Sequence, residues 1–227
     1  MKLLIDDANV NAIRRLFDLY PVDGVTTNPT ILARSGGDPV ETLRAIRALI
    51  GEDRLLFVQA IPPDAEGMMR DARAIVRLLG GDTVVKVPAI PEGFKAIRRL
   101  KREGIRTCGT VVYTPMQAYL AAKAGAEYVA PYVNRIDNMG YDGIAVTEQI
   151  HDILTLHHMD SRVLAASFRN SQQVLALCAY GIGAATCAPD VIDGLVRNPA
   201  IDAAVSAFVS DFERLAGGHA GMADLIP

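Results

Sequence analysis

Short apolar runs rich in β-branched residues alternate along the whole chain with longer segments in which apolar positions recur every three or four residues. The short runs predict strands over Leu3–Ile5, Gly24–Val25, Leu55–Gln59, Thr83–Val87, Thr107–Val111, Tyr128–Ala130, Arg162–Ala166 and Gly183–Thr186. Between them, Pro39–Ile50, Ala65–Leu79, Pro91–Glu103, Met116–Ala124, Thr147–His158 and Ser171–Tyr180 place apolar residues at i, i+3, i+4 and i+7 and predict helices. This is the pattern of a parallel sheet built from βα units. Eight such units favour a closed (β/α)8 TIM barrel over an open doubly wound sheet, because closure removes both edge strands. Pro189–Val196 and Pro199–Leu215 have no strand after them, so they predict a last barrel helix and an extra C-terminal helix free to cover a neighbour. No linker, low-complexity tract or charge block interrupts this order. The expectation is one domain over residues 1–215, C-terminal helix included, with a Gly-rich flexible tail over 216–227.

Composition narrows the function classes. With 227 residues, half of them hydrophobic, the chain can bury one substantial core. A net charge of -3, a pI near 5.8 and scattered Lys and Arg offer no field for a nucleic-acid backbone, so no nucleic acid is expected as a partner. The start, MKLLIDDANV, meets acidic residues after three apolar ones, and no later run approaches a membrane span. A cytoplasmic protein without a membrane partner is expected. Cys108, Cys178 and Cys187 lack both disulfide-scaffold and metal-site spacing and read as reduced core or near-core residues, with a reactive thiol as the alternative. His151, His157, His158 and His219 fall on helical faces or in the tail and read as solvated or capping. Neither a metal-ligand cluster nor a GxGxxG or GxxxxGK[ST] phosphate loop is present, so metals and nucleotide cofactors are not implied.

The chemistry centres on Lys86. In Thr83-Val84-Val85-Lys86-Val87-Pro88 the side chains alternate, so Lys86 shares the face of Val84 and points into the barrel, while Val85 and Val87 face the helices. Desolvation in such a strand favours the neutral, nucleophilic amine that a Schiff base with a ketone requires. The alternative is a structural lysine, buried against Asp6 or exposed at the rim. Polar residues also recur at the C-terminal strand ends, where barrel active sites are built: Asp6, Thr26, Thr27, Asn28, Gln59, Thr110, Tyr132, Asn134, Arg135, Ser167 and Arg169. Taken singly, Asp6 could cap the following helix, Asn28 could serve a turn and Gln59 could bond a loop backbone. Arg135, Ser167 and Arg169 together suit a phosphate dianion; alternatively the arginines pair with Asp137 or Asp190.

Three runs carry a resemblance: Gly24-Val25-Thr26-Thr27-Asn28-Pro29-Thr30, Val84-Val85-Lys86-Val87-Pro88 and Ala166-Ser167-Phe168-Arg169. With Ala124 to Asp137, they resemble the short subfamily of the transaldolase superfamily that includes fructose-6-phosphate aldolase. The resemblance implies that Lys86 forms the Schiff base, that Asp6 and Asn28 hold donor hydroxyls, and that Thr110 contacts the catalytic water. It assigns the acceptor phosphate to Arg135, Ser167 and Arg169. Thr26 and Asn134, among the polar strand ends, are further candidates for binding substrate. Short transaldolases carry glutamate and phenylalanine where this chain has Gln59 and Tyr132, the aldolase pair. Phosphosugar and hydroxyketone substrates are therefore implied, as is a homo-oligomer, commonly a decamer and possibly pentamer-based. Two competing readings are a transaldolase and a barrel that binds phosphosugars without catalysis. Tyr113 to Met116, Asn138 to Tyr141 and the tail Gly217–Pro227 depart from the family pattern.

Overall fold

The computed structural model describes residues 1–218 and 220–226. Eight strands close in chain order into a wholly parallel barrel: β1 (Lys2–Asp6), β2 (Gly24–Thr26), β3 (Leu55–Gln59), β4 (Thr83–Pro88), β5 (Thr107–Val112), β6 (Tyr128–Pro131), β7 (Arg162–Ala165) and β8 (Ala184–Cys187). The final pairing, Leu4 with Thr186 and Ile5 with Cys187, joins β1 to β8. The (β/α)8 barrel expected from the strand count is therefore present.

Alternation along the strands separates two cores. Val85 and Val87 pack outward with Ala96, Ile97 and Leu100 of helix Pro91–Arg102. Leu4, Leu55, Phe57, Val84, Cys108, Tyr128, Ala130, Leu164 and Ala184 fill the inside. These inner residues form a dry floor below the C-terminal mouth; Phe57 and Tyr128 meet edge to face with ring centroids 5.2 Å apart.

Helix starts are fixed mainly by short polar side chains that accept otherwise unpaired N–H groups: Asn9, Asn28, Asp38, Asp64, Thr114, Asp142 and Asn170. The Asp142 cap begins its helix at Gly143 and the helix ends at Leu156, so the segment predicted as Thr147–His158 starts earlier. The helix predicted to reach Val196 stops at Gly194. Val10–Leu19, Pro29–Ser35 and Val133–Asp137 are helices outside the predicted segments, the last two too short to show an apolar period. At Gly93 a Cβ would sit 1.8 Å from the carbonyl oxygen of Pro88, so only glycine lets this helix begin against the strand that carries Lys86.

The chain forms two compact units, Met1–Ile192 and Asp193–Pro227. The second holds helix Pro199–Leu215, which has no buried residue, and a 3₁₀ turn at Met222–Asp224 within the segment expected to be a flexible tail. His219, read as solvated or capping, lies outside the described residues. Among the described residues no helix is long and apolar enough to cross a membrane.

Candidate active site

Lys86 is 3% exposed on the inner face of β4, and its Nζ donates to the carbonyl oxygen of Thr27 at 3.1 Å. It opens on a cavity of about 290 Å³ at the barrel mouth, lined among others by Asp6, Asn28, Gln59, Tyr132, Arg135 and Ser167. Six predicted residues and the lysine thus share one space. Its other walls are Pro29, Thr30, Ile31, Arg34, Val111 and Ala166.

Five predicted residues do not line it. Thr27 is fully buried, its carbonyl oxygen accepting from Lys86 Nζ and its Oγ1 donating to the Phe57 carbonyl oxygen at 3.0 Å. Thr26 and Thr110 are fully buried and act on lining residues instead: Thr26 Oγ1 donates to Asp6 Oδ1 at 2.6 Å, and Thr110 Oγ1 lies 2.9 Å from Tyr132 Oη. Asn134 is half-buried, its N–H bonded to the Ser167 carbonyl oxygen. Arg169 is exposed beyond the lining, its N–H bonded to the Gln173 side chain.

Burial pushes the Asp6 carboxyl above its ordinary range, opposed by the Lys86 charge and by the hydrogen bond from Thr26. Asp6 does not cap the next helix, a task done by Asn9, while Asp7 accepts from the N–H groups of Ala8 and Asn9. Asn28 caps helix Pro29–Ser35, its Oδ1 accepting from Ile31 N at 3.0 Å, and the residue also lines the cavity.

Tyr132 is held from three sides. Thr110 meets its hydroxyl, Tyr113 packs edge-on with centroids 5.7 Å apart, and the Arg135 guanidinium stacks over its ring at 4.6 Å. Among the described residues neither Arg135 nor Arg169 pairs with Asp137 or Asp190. Asp137 is taken by Gly143 N and Gln173 Nε2. Val111 and Ser167 both adopt positive φ, 60° and 61°, at the ends of their strands. Val111 coincides with an irregularity in the pairing of β5 and β6, between Gly109 and Val112.

The structure corrects one cysteine. Cys108 and Cys187 are buried and their thiols are pushed up to about 12 by desolvation, but Cys178 is exposed on helix Ser171–Tyr180. Among the described residues, no group of three or more His, Cys, Asp or Glu is placed to hold a metal.

Arg34 and Thr186 were missed by the sequence reading. Arg34 sits in the last turn of a helix too short to show a period. Thr186 was legible, because it alternates with Ala184 on the inward face of β8. A larger cavity of about 610 Å³ lies outside the barrel among helices Pro29–Ser35, Pro39–Ile50 and Ala65–Leu79. Its walls are mostly apolar; it shares Pro29 and Gln59 with the mouth cavity, and its one acidic side chain, Asp71, accepts from Ile61 N. The reactive groups are therefore in the smaller space.

A parallel eight-stranded barrel with a buried lysine among a carboxyl, an amide and a phenol at its C-terminal mouth has the form of an aldolase or transaldolase. The chain belongs to the transaldolase/fructose-6-phosphate aldolase family, whose model matches residues 3–223. Solved structures share the fold. One described as "Native KDPGal structure" is 18% identical, with 84% of each chain covered and a TM-score of 0.58. A cube-shaped, highly porous protein cage designed by fusing symmetric oligomeric domains is 17% identical, with 84% of this chain and 64% of that chain covered and a TM-score of 0.59.

Proposed function

We propose that the chain is a class I aldolase that reversibly cleaves fructose 6-phosphate into dihydroxyacetone and glyceraldehyde 3-phosphate. The observation that carries this reading is the buried Lys86 amine, donating to the Thr27 carbonyl oxygen, in a cavity that also presents Asp6, Gln59 and Tyr132.

The amine adds to the C2 ketone and water leaves, giving an iminium. Asp6 and Asn28 hold the donor hydroxyls during this step. A proton then leaves the C4 hydroxyl, the C3–C4 bond breaks, and its electron pair enters the iminium to give an enamine; the three-carbon aldehyde phosphate departs. Protonation at C3 and addition of water release dihydroxyacetone and restore the amine. Tyr132, with Thr110 behind its hydroxyl and Gln59 across the mouth, handles these protons through a water. Arg135 and Ser167 grip the phosphate, with Arg169 joining from the rim. Gln59 and Tyr132, rather than glutamate and phenylalanine, favour release of the free donor over its transfer.

The reading extends to assembly in the cytoplasm. Helix Pro199–Leu215 exposes Ile201, Val205, Phe208 and Val209, a face suited to covering another copy in a homo-oligomer. Light scattering on the purified protein measures the subunit count.

The test of function is borohydride reduction in the presence of fructose 6-phosphate or dihydroxyacetone, with mass spectrometry of the Lys86 peptide and Lys86→Met as control. A reduced adduct on Lys86, with free dihydroxyacetone formed in the absence of an acceptor aldehyde, supports the aldolase. An adduct without free dihydroxyacetone points to a transaldolase. No adduct, where a known class I aldolase labels, removes the Schiff-base reading.

A further inference from the structure

Thr186 carries a hydroxyl that the scheme above does not use. It projects inward from β8 and is 1% exposed, and its Oγ1 lies 2.6 Å from Oγ1 of the fully buried Thr26. Thr26 Oγ1 lies in turn 2.6 Å from Oδ1 of Asp6. Each hydroxyl has one proton to give. The carboxylate is the strongest acceptor within reach of Thr26 and takes its proton, so the proton between the two threonines comes from Thr186. The opposite direction would need a proton on Asp6 Oδ1. It would also strand the proton of Thr186, whose one hydrogen-bond partner among the described residues is Thr26, and a buried unmade donor is costly.

We propose that Thr186 is a positioning residue for Asp6. It donates to Thr26, Thr26 donates to Oδ1, and the relay leaves Oδ2 as the oxygen through which Asp6 meets the Lys86 amine and the substrate and exchanges its proton. Valine would fill nearly the same volume and give no proton, whereas serine would give one. The charged and titratable groups facing Asp6 are Lys86 from β4, Arg34 from helix Pro29–Ser35, Asp7 beside it in the chain and Cys187 from β8. None of them is part of the relay. Its role in turnover rests on the aldolase reading; the relay itself does not.

The test is a ¹³C NMR titration of the Asp6 carboxyl carbon in the intact protein, assigned by its loss in Asp6→Asn. Thr186→Val should raise the Asp6 midpoint by about half a unit or more, roughly threefold in proton affinity. The Thr26 hydroxyl then donates to the carboxylate without a polarising partner and becomes free to accept from the protonated form. Thr186→Ser should return the midpoint to the wild-type value. In turnover, Thr186→Val should lower kcat with KM nearly unchanged and displace the acidic limb of the pH profile, again rescued by serine. A folded Thr186→Val with the wild-type midpoint overturns the relay, and so does a rate loss with no change in midpoint. Should Thr186→Val fail to fold, Thr186→Ala is read in the same way. The titration uses no substrate, so a wild-type protein that traps no ketone at Lys86 would end the aldolase reading while the fate of the relay is still decided by the midpoints.

Discussion

Replacing Phe57 by alanine tests whether the mouth stands on a close-packed floor. Phe57 is fully buried, meets Tyr128 edge to face at 5.2 Å, and pairs in register with Val84, the inward residue just below Lys86 on β4. Truncation removes about 100 Å³ of side chain; at about 24 cal/mol per Å³ an unrelaxed cavity costs about 2.4 kcal/mol. Lost transfer free energy adds about 2 kcal/mol, and the aromatic pair about 0.5–1.5 kcal/mol. Partial collapse of the neighbours lowers the sum, giving an expected loss of about 3–5 kcal/mol. For a domain of this size that is a fall in Tm of very roughly 6–20 °C. Urea unfolding and calorimetry at a single protein concentration measure it, the fixed concentration keeping any assembly equilibrium constant. Leu156→Ala, at a position 74% exposed at the end of helix Gly143–Leu156, is the comparison and should cost much less. A loss below about 1.5 kcal/mol for Phe57→Ala would refute the claim that the barrel interior is packed to core density.

Other expectations follow from single sites. Of the three thiols, only Cys178 should react promptly with a disulfide reagent near pH 8, because Cys108 and Cys187 are buried with thiols pushed up to about 12; three fast-reacting thiols would contradict their burial. The raised Asp6 carboxyl makes the folded state hold a proton that the unfolded chain has released, so its contribution is complete at low pH and is lost as pH rises through the folded value. Asp6→Asn should accordingly gain stability relative to wild type on going from about pH 4 to pH 8; a difference constant with pH, in chemical denaturation, would refute this. Arg47 is buried, its Nη1 donating to the carbonyl oxygens of Gly51 and Arg54 and its Nη2 to Thr83 Oγ1. Arg47→Met should cost about 2–4 kcal/mol by leaving these acceptors unpaired, against less than about 1 kcal/mol for Arg44→Met on the exposed face of the same helix.

The barrel was legible because strand and helix periods differ and each strand held its period long enough to count. Lys86 was placed inward by the same alternation that turns Val85 and Val87 toward the helices. The mouth was legible as a set of polar strand ends, though not its depth. Nothing in the order of residues separates Gln59, which meets the cavity, from Thr110, which reaches it only through Tyr132. Helices Pro29–Ser35 and Val133–Asp137 escaped because each is shorter than the window in which a 3.6-residue period can be recognised. Cys178 was misjudged because an apolar residue in a buried-looking helix can still fall on the outer arc, and only the packing of Val174 and Leu177 fixes which arc is outside. The left-handed backbone at Val111 had no signature at all, valine being among the residues least suited to it.

The dry floor under the polar mouth has a consequence for how such a protein can change over evolutionary time. Each of the eight strands, or the residue just beyond it, contributes one position to the upper ring: Asp6, Thr26, Gln59, Lys86, Thr110, Tyr132, Ala166 and Thr186. The residues that hold the barrel together, from Leu4 to Ala184, lie in the layer below. New chemistry can therefore be sampled one strand at a time, by exchanges that leave the folding core untouched. Neighbouring positions already linked by hydrogen bonds, Asp6 with Thr26 and Thr186 and Thr110 with Tyr132, must change together. The ring therefore behaves as a few inherited blocks rather than eight free letters.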